Sequence, residues 1–276
     1  MAMPSALIRA LCLILLLTAG AAAAVPRAEL WERWTAHDPQ AMRQIDHGAW
    51  DKFLMRYVRI GADGSQRVAY GEVAPADRSV LEGYIEQLAS VPISRYNRAE
   101  QLAYWINLHN ALLVRLVLDY YPLGSVRNLG AGSPWSGAPW TLPQLEVEGT
   151  PISLSDIEHR ILRPIWRDPR VLYALSCGAL GCPSLQPEPF RADRLERQLN
   201  QAAMAYVNDP QCIRLGEQTL EVSSLFRWYQ DDFGGSERAV INHLMAYAEP
   251  QLAMRLQKFE RITGDAFDWR LNDTAH

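Results

Sequence analysis

The chain has 276 residues, 49% of them hydrophobic, and a formal net charge of −4. That size suits one large domain or two small ones, with apolar residues enough for a core. The 27 basic residues face 31 acidic ones and form no basic stripe, which argues against a nucleic-acid partner.

The first 24 residues read as a secretory leader. Arg9 precedes the apolar run from Ala10 to Leu17, and Ala21 to Ala24 supply small residues for cleavage near Ala24. The run is short for a membrane anchor, and no cysteine stands just after it to take a lipid. No later apolar run reaches spanning length, so no membrane span is expected after cleavage. Cleavage leaves 276 − 24 = 252 residues and, with Arg9 gone, 26 basic against 31 acidic, a charge of −5. The expected location is periplasmic or secreted. Cys177, Cys182 and Cys212 then remain, which allows one disulfide and a spare thiol, or three free thiols. Export favours oxidation.

Residues 25–49 read as an N-terminal extension, helix-like at 28–36, with a helix at 48–57. Asp63-Gly64 marks a turn before a short strand at 66–73. A helix follows at 76–89, with Val80, Leu81, Tyr84, Ile85 and Leu88 on one face. The longest helical pattern runs from Arg98 to Tyr121, where Pro122 stops it. Residues 130–140, rich in Gly, Ser, Pro and Trp, read as an irregular loop. Leu145-Glu146-Val147 and Pro151-Ile152-Ser153 flank a hairpin turn. Ser155-Asp156-Ile157-Glu158 reads as a capping box opening a helix to about Leu162. Val171 to Ser176 has strand length, and 177–189 is a Gly/Pro-rich loop. An amphipathic helix at 192–207 and a hairpin at 213–215 and 219–222 come next. Helical segments at 225–233 and 237–248 are separated by Gly234-Gly235. The end, 259–272, reads as extended and anchored by Phe267 and Trp269. Helices outnumber the short hairpin strands, so the expected fold is α+β, a single mostly helical domain.

Two stretches carry chemistry. Within Trp105 to Val114, Asn107, His109 and Asn110 interrupt an otherwise apolar helix. Burying an amide without a partner costs roughly 1–3 kcal/mol. Positions three and four apart share a face, so Asn107 and Asn110 point together toward the apolar side and His109 lies on the opposite shoulder. Either the two amides satisfy the backbone of an irregular segment such as 130–140, or they orient a catalytic group or an oxyanion.

The second stretch is Ser176-Cys177-Gly178-Ala179-Leu180-Gly181-Cys182-Pro183. Three readings stand for it. Cys177 and Cys182 close a disulfide across the intervening glycines. Cys177 is a thiol nucleophile, with His159 as its base and His109 as the second choice. Or Cys177, Cys182 and His159 hold zinc, although no fourth ligand is evident. Glu158 is explained as the acid of the capping box; His159 beside it has no such explanation.

Tyr104-Trp105-Ile106-Asn107-Leu108-His109-Asn110, Tyr121-Pro122, Asp156-Ile157-Glu158-His159-Arg160-Ile161-Leu162-Arg163, Asp168-Pro169-Arg170 and Cys177-Gly178 through Cys182-Pro183 together resemble the family called domain of unknown function 547. Phe226-Arg227-Trp228-Tyr229, Asp232-Phe233-Gly234-Gly235 and Phe267-Asp268-Trp269-Arg270 extend the likeness to roughly residues 50–272. The resemblance implies a single domain and, in bacteria, frequent export, and hands over no activity; no cofactor is expected. The family pattern marks Asn107, Asn110, Glu158, His159, Cys177 and Cys182. His109 stands where an aromatic is usual and Ser176 where asparagine is common.

Two functions from different classes remain open. The first is a thiol-centred hydrolase or acyl-transfer enzyme. Cys177 attacks, His159 moves the proton, Asn107 or Asn110 orients or donates, and Glu158 stands nearby. The second is a non-catalytic binding or interaction protein. The disulfide pins its loop, and Trp135 and Trp140 wall a cleft for a small molecule, peptide or glycan.

Overall fold

The computed structural model describes residues 25–61, 65–129 and 137–275. The leader at 1–24, the Asp63-Gly64 turn and Trp135 lie outside these residues. Among them the helices are α1 (Gly48–Tyr57), α2 (Pro75–Ala89), α3 (Arg98–Tyr120), α4 (Arg163–Trp166), α5 (Val171–Ala174), α6 (Leu195–Val207), α7 (Leu225–Trp228), α8 (Glu237–Tyr247) and α9 (Pro250–Leu256). The strands are β1 (Val58–Ile60), β2 (Gln66–Val68), β3 (Leu145–Val147), β4 (Thr150–Ile152), β5 (Ile213–Leu215), β6 (Leu220–Ser223) and β7 (Gly264–Ala266). A mostly helical chain with small strand pairs is an α+β fold.

α3 is the axle of the core. Asn97 caps it by accepting the Glu100 N–H at 3.0 Å. Every residue from Glu100 to Val114 is buried, so the helix presents no solvent face there. α2 packs along it with Leu81, Tyr84, Ile85 and Leu88. A π-helical segment, Asp156–Leu162, packs on another side and continues into α4. β1–β2, β3–β4 and β5–β6 are antiparallel hairpins, and β7 joins β6 in parallel with Glu221 opposite Gly264.

The C-terminal stretch sews the layers together. Isolated bridges pair Ser125 with Arg270, Ala179 with Leu271 and Val68 with Asp273. The Asn272 N–H donates to the Gly178 carbonyl at 2.7 Å, and Leu180 and Gly181 donate to the Arg270 and Asp268 carbonyls. The extended reading of 259–272 thus has a physical basis: those backbone groups are shared among three separate elements.

Several local expectations change. Segment 28–36 holds only a 3-10 turn at Glu32–Thr35. Its earlier donors are taken elsewhere, Glu29 N–H by the His159 carbonyl and Trp31 N–H by Arg160. Val171–Ala174 is a helical turn, not a strand. Asp168 starts it, accepting the Arg170 N–H at 2.9 Å, and a short apolar run alone does not separate the two states. Of 225–233 only Leu225–Trp228 is helix. α9, which begins with Pro250 in the first helical turn, was not anticipated.

Candidate functional site

The two buried asparagines of α3 are backbone clamps. Asn107 donates from Nδ2 to the Phe190 carbonyl at 2.8 Å and accepts the Phe190 N–H at 3.0 Å. Asn110 donates to the Ala174 carbonyl at 2.9 Å and accepts the Ser176 N–H at 3.0 Å. Each amide therefore does for an irregular strand what a neighbouring strand would do, pairing one donor and one acceptor. The segments held are 190 and 174–176, rather than the 130–140 loop. Asn107 Nδ2 also lies 3.4 Å from His47 Nε2, and His47 Nδ1 lies 2.6 Å from the Tyr84 hydroxyl. Burial pushes His47 down to about 4, so its ring is neutral in the fold.

Asn110 fixes the backbone that delivers Cys177. Cys177 is bonded to Cys182, with the Cα atoms 5.8 Å apart, and both residues are buried. The loop between them needs glycine at two places. Gly178 has φ +78°, and a Cβ on Gly181 would meet the Asp268 nitrogen at 2.8 Å. Cys177 accordingly carries no free thiol here: where a nucleophile is one expectation, the structure holds half of a disulfide, the other expectation for this position. The zinc alternative on Cys177, Cys182 and His159 goes with it, since a disulfide offers no thiolate; among the described residues no His, Cys, Asp or Glu group is arranged for a metal. Cys212, buried, is the free cysteine of the described chain, with its thiol pushed up by burial.

The expected capping box is displaced by two residues. Ser153 and Asp156 form it: the Asp156 N–H donates to Ser153 Oγ at 3.0 Å and the Ser153 N–H to Asp156 Oδ2 at 3.1 Å. Glu158 is thereby released from the cap and turns into the core. The π-helical turn widens the helix and brings Glu158 Oε1 within 3.7 Å of His159 Nδ1 although the two are adjacent in sequence.

Glu158 Oε1 accepts the Tyr229 hydroxyl at 2.5 Å. Burial opposes the charge on Glu158, but His159, His109, that hydroxyl and Arg163 outweigh it and hold its carboxyl below the ordinary value. His159 Nδ1 accepts from Arg163 Nη1 at 2.9 Å, which assigns the ring proton to Nε2. Arg163 also grips Asp232 at 3.1 and 2.5 Å and the Pro26 carbonyl at 2.7 Å. Its guanidinium lies over the Tyr229 ring at 4.8 Å. Burial lowers both His159 and His109. His109, placed by sequence on a shoulder, is fully enclosed, and its Nδ1 has no hydrogen-bond partner among the described residues. Glu158 and Tyr229 border a crevice of about 20 Å³ beside Ser176, Cys177 and Cys182, room for about one water. This arrangement can hold charge and position the chain; it leaves little room for a substrate at the sulfurs.

A larger opening borders the disulfide loop at Leu180 and Gly181. A cleft of about 400 Å³ is lined by Leu180 and Gly181 of that loop, Arg127, Asp209, Arg214 and the 266–270 segment. The Trp-rich wall expected near 134–140 is not part of it among the described residues: Trp140 is buried in the core. Sequence reasoning missed Arg127 because an arginine in a turn shows no period and no motif spacing; Arg270 falls in the Phe267–Arg270 run but had no role assigned.

Residues 93–207 match the model of the family described as protein of unknown function, DUF547. The likeness to that family covers those residues. The matched DUF547 stretch contains α3 with both asparagine clamps, Glu158 and His159, and the disulfide loop. No curated protein and no solved structure matches the chain.

Proposed function

We propose that this DUF547 protein is a non-catalytic binding or interaction protein of an oxidising compartment, periplasmic or extracellular, with a structural Cys177–Cys182 disulfide. The observation that supports this reading is the bonding of the loop at 176–182. Both sulfurs are spent on each other, both cysteines are buried, and the loop backbone is held by Asn110 on one side and by residues 268–272 on the other. A thiol catalyst needs a sulfur that a substrate can reach. A space beside the loop that can take a small molecule, peptide or glycan is the neighbouring cleft, part of whose wall the pinned loop forms. A buried disulfide fits export, and no helix among the described residues is long and apolar enough to cross a membrane.

The test uses the exported protein without reductant. Alkylation leaves Cys177 and Cys182 unmodified at a mass two hydrogens below the reduced form, and the intact mass corresponds to a chain starting near Val25. Chromogenic esters are not turned over, before or after mild reduction. Ester turnover that appears on reduction and vanishes in Cys177→Ser refutes the binding reading and restores the thiol enzyme.

A further inference from the structure

We infer that the 400 Å³ cleft recognises a small hydroxylated oxyanion, a carboxylate or phosphate carrying hydrogen-bond donors, with Arg127 as the anion contact and Asp209 as the acceptor for the donors. The inference rests on the binding reading and names its ligand class.

The pairing of charges around the cleft carries it. Arg270 is spent on Asp268: its Nε lies 3.0 Å from both carboxylate oxygens, and a second nitrogen makes a further contact. Arg214 is tied to Glu221 at 2.5 Å. Arg127 differs from both. Its guanidinium carbon lies 4.6 Å over the Trp269 ring, and no carboxylate of the described residues pairs with it. Stacking on an indole fixes the plane of a guanidinium while leaving its N–H edge in that plane, the geometry that accepts a carboxylate or phosphate with two parallel bonds. The indole therefore preorients Arg127 without neutralising it.

Asp209 supplies the second polarity. Its Oδ1 accepts the Gln211 N–H at 2.8 Å, and no guanidinium or ammonium of the described residues pairs with it. Ser125 and Gln211 add polar edges, although Ser125 Oγ is engaged by the Trp269 carbonyl at 2.7 Å. A wholly apolar ligand leaves both charges uncompensated. A simple cation is opposed by Arg127 and a bare anion by Asp209. A molecule with an oxyanion at one end and hydroxyls at the other satisfies both. The volume sits at the lower end of the range for small-molecule sites, which favours a single sugar-sized unit.

Titration calorimetry at 20 mM salt with gluconate, glucose 6-phosphate, inorganic phosphate and glucose tests this on the disulfide-closed protein. Gluconate or glucose 6-phosphate binds, and the stronger of the two tells carboxylate from phosphate; glucose and inorganic phosphate bind more weakly. Arg127→Ala lowers the affinity at least about tenfold, the effect of losing a charge-assisted pair. Asp209→Asn lowers it for the hydroxylated anions but not for phosphate. Raising salt to 300 mM weakens binding. Arg95→Ala, an exposed arginine outside the cleft, changes nothing. Equal affinity in Arg127→Ala, or no binding by either hydroxylated anion, overturns the inference. Binding of glucose alone also overturns it but leaves the binding reading standing, which falls only to Cys177-dependent turnover.

Discussion

Replacing Asn110 with alanine tests the idea that this amide substitutes for a missing strand. The substitution removes one donor and one acceptor at once and orphans the Ala174 carbonyl and the Ser176 N–H, both held by Asn110 in a buried segment. Each buried polar group left unpaired costs about 1–3 kcal/mol, so the expected loss for the two is about 2–6 kcal/mol. For a domain of this size that lowers Tm by roughly 5–15 °C. Asn110→Asp retains the acceptor for Ser176 but sets a carboxylate against the Ala174 carbonyl, so it destabilises at least as much as alanine. Urea unfolding at pH 7 with the disulfide intact measures both. The clamp also predicts a local effect: the Cys177–Cys182 bond is reduced faster by dithiothreitol in Asn110→Ala than in wild type, because the backbone entering Cys177 is released. A stability loss under 1 kcal/mol, or an aspartate milder than alanine, refutes the reasoning.

The disulfide closes a short loop, with a separation of 5 residues, and loop-closure entropy for that length gives about 2 kcal/mol. Cys177→Ser with Cys182→Ser therefore unfolds at lower urea by that amount, and its cleft binds gluconate or glucose 6-phosphate more weakly because Leu180 and Gly181 form the wall. His47 sets an acid limit. Its pKa is lowered from 6.5 to about 4 by burial, then by Arg191, with Asp46 opposing, so the unfolded chain binds the proton first as pH falls. Stability is complete above pH 6.5 and is lost toward pH 4, by about 2 kcal/mol at pH 5. His47→Gln flattens that part of the pH–stability curve, and an unchanged slope counts against it. Arg163→Met leaves Asp232 and Glu158 without their guanidinium and costs about 3–5 kcal/mol. Arg163→Lys does not restore it, since one ammonium does not reach Asp232, Pro26 and His159 together; full recovery of Tm with lysine contradicts the network.

What was legible in the sequence was whatever one element decides alone. The end of α3 follows from Pro122 after the run, and the hairpins from their turn residues. The two asparagines announced themselves because a buried amide must find a partner. Which backbone each one holds was not legible: Phe190 lies 83 residues from Asn107, and Ala174 lies 64 from Asn110. The capping box was misplaced because Ser153-Leu154-Ser155-Asp156 and Ser155-Asp156-Ile157-Glu158 offer the same pattern in two registers. In the fold Ser153 and Asp156 bond to each other, and Glu158 turns inward to accept the Tyr229 hydroxyl. The redox choice at Cys177 was likewise open, since spacing allows a bond that only Cα separation and loop geometry make. The sequence alone determined the helix-rich α+β class and the odd residues of α3, because local propensity and periodicity act over one turn or one strand. Tertiary structure alone decided that Cys177 is bonded, that Glu158 faces inward and that Arg127 is oriented on Trp269. Each of those outcomes depends on the through-space distance between groups far apart in the chain.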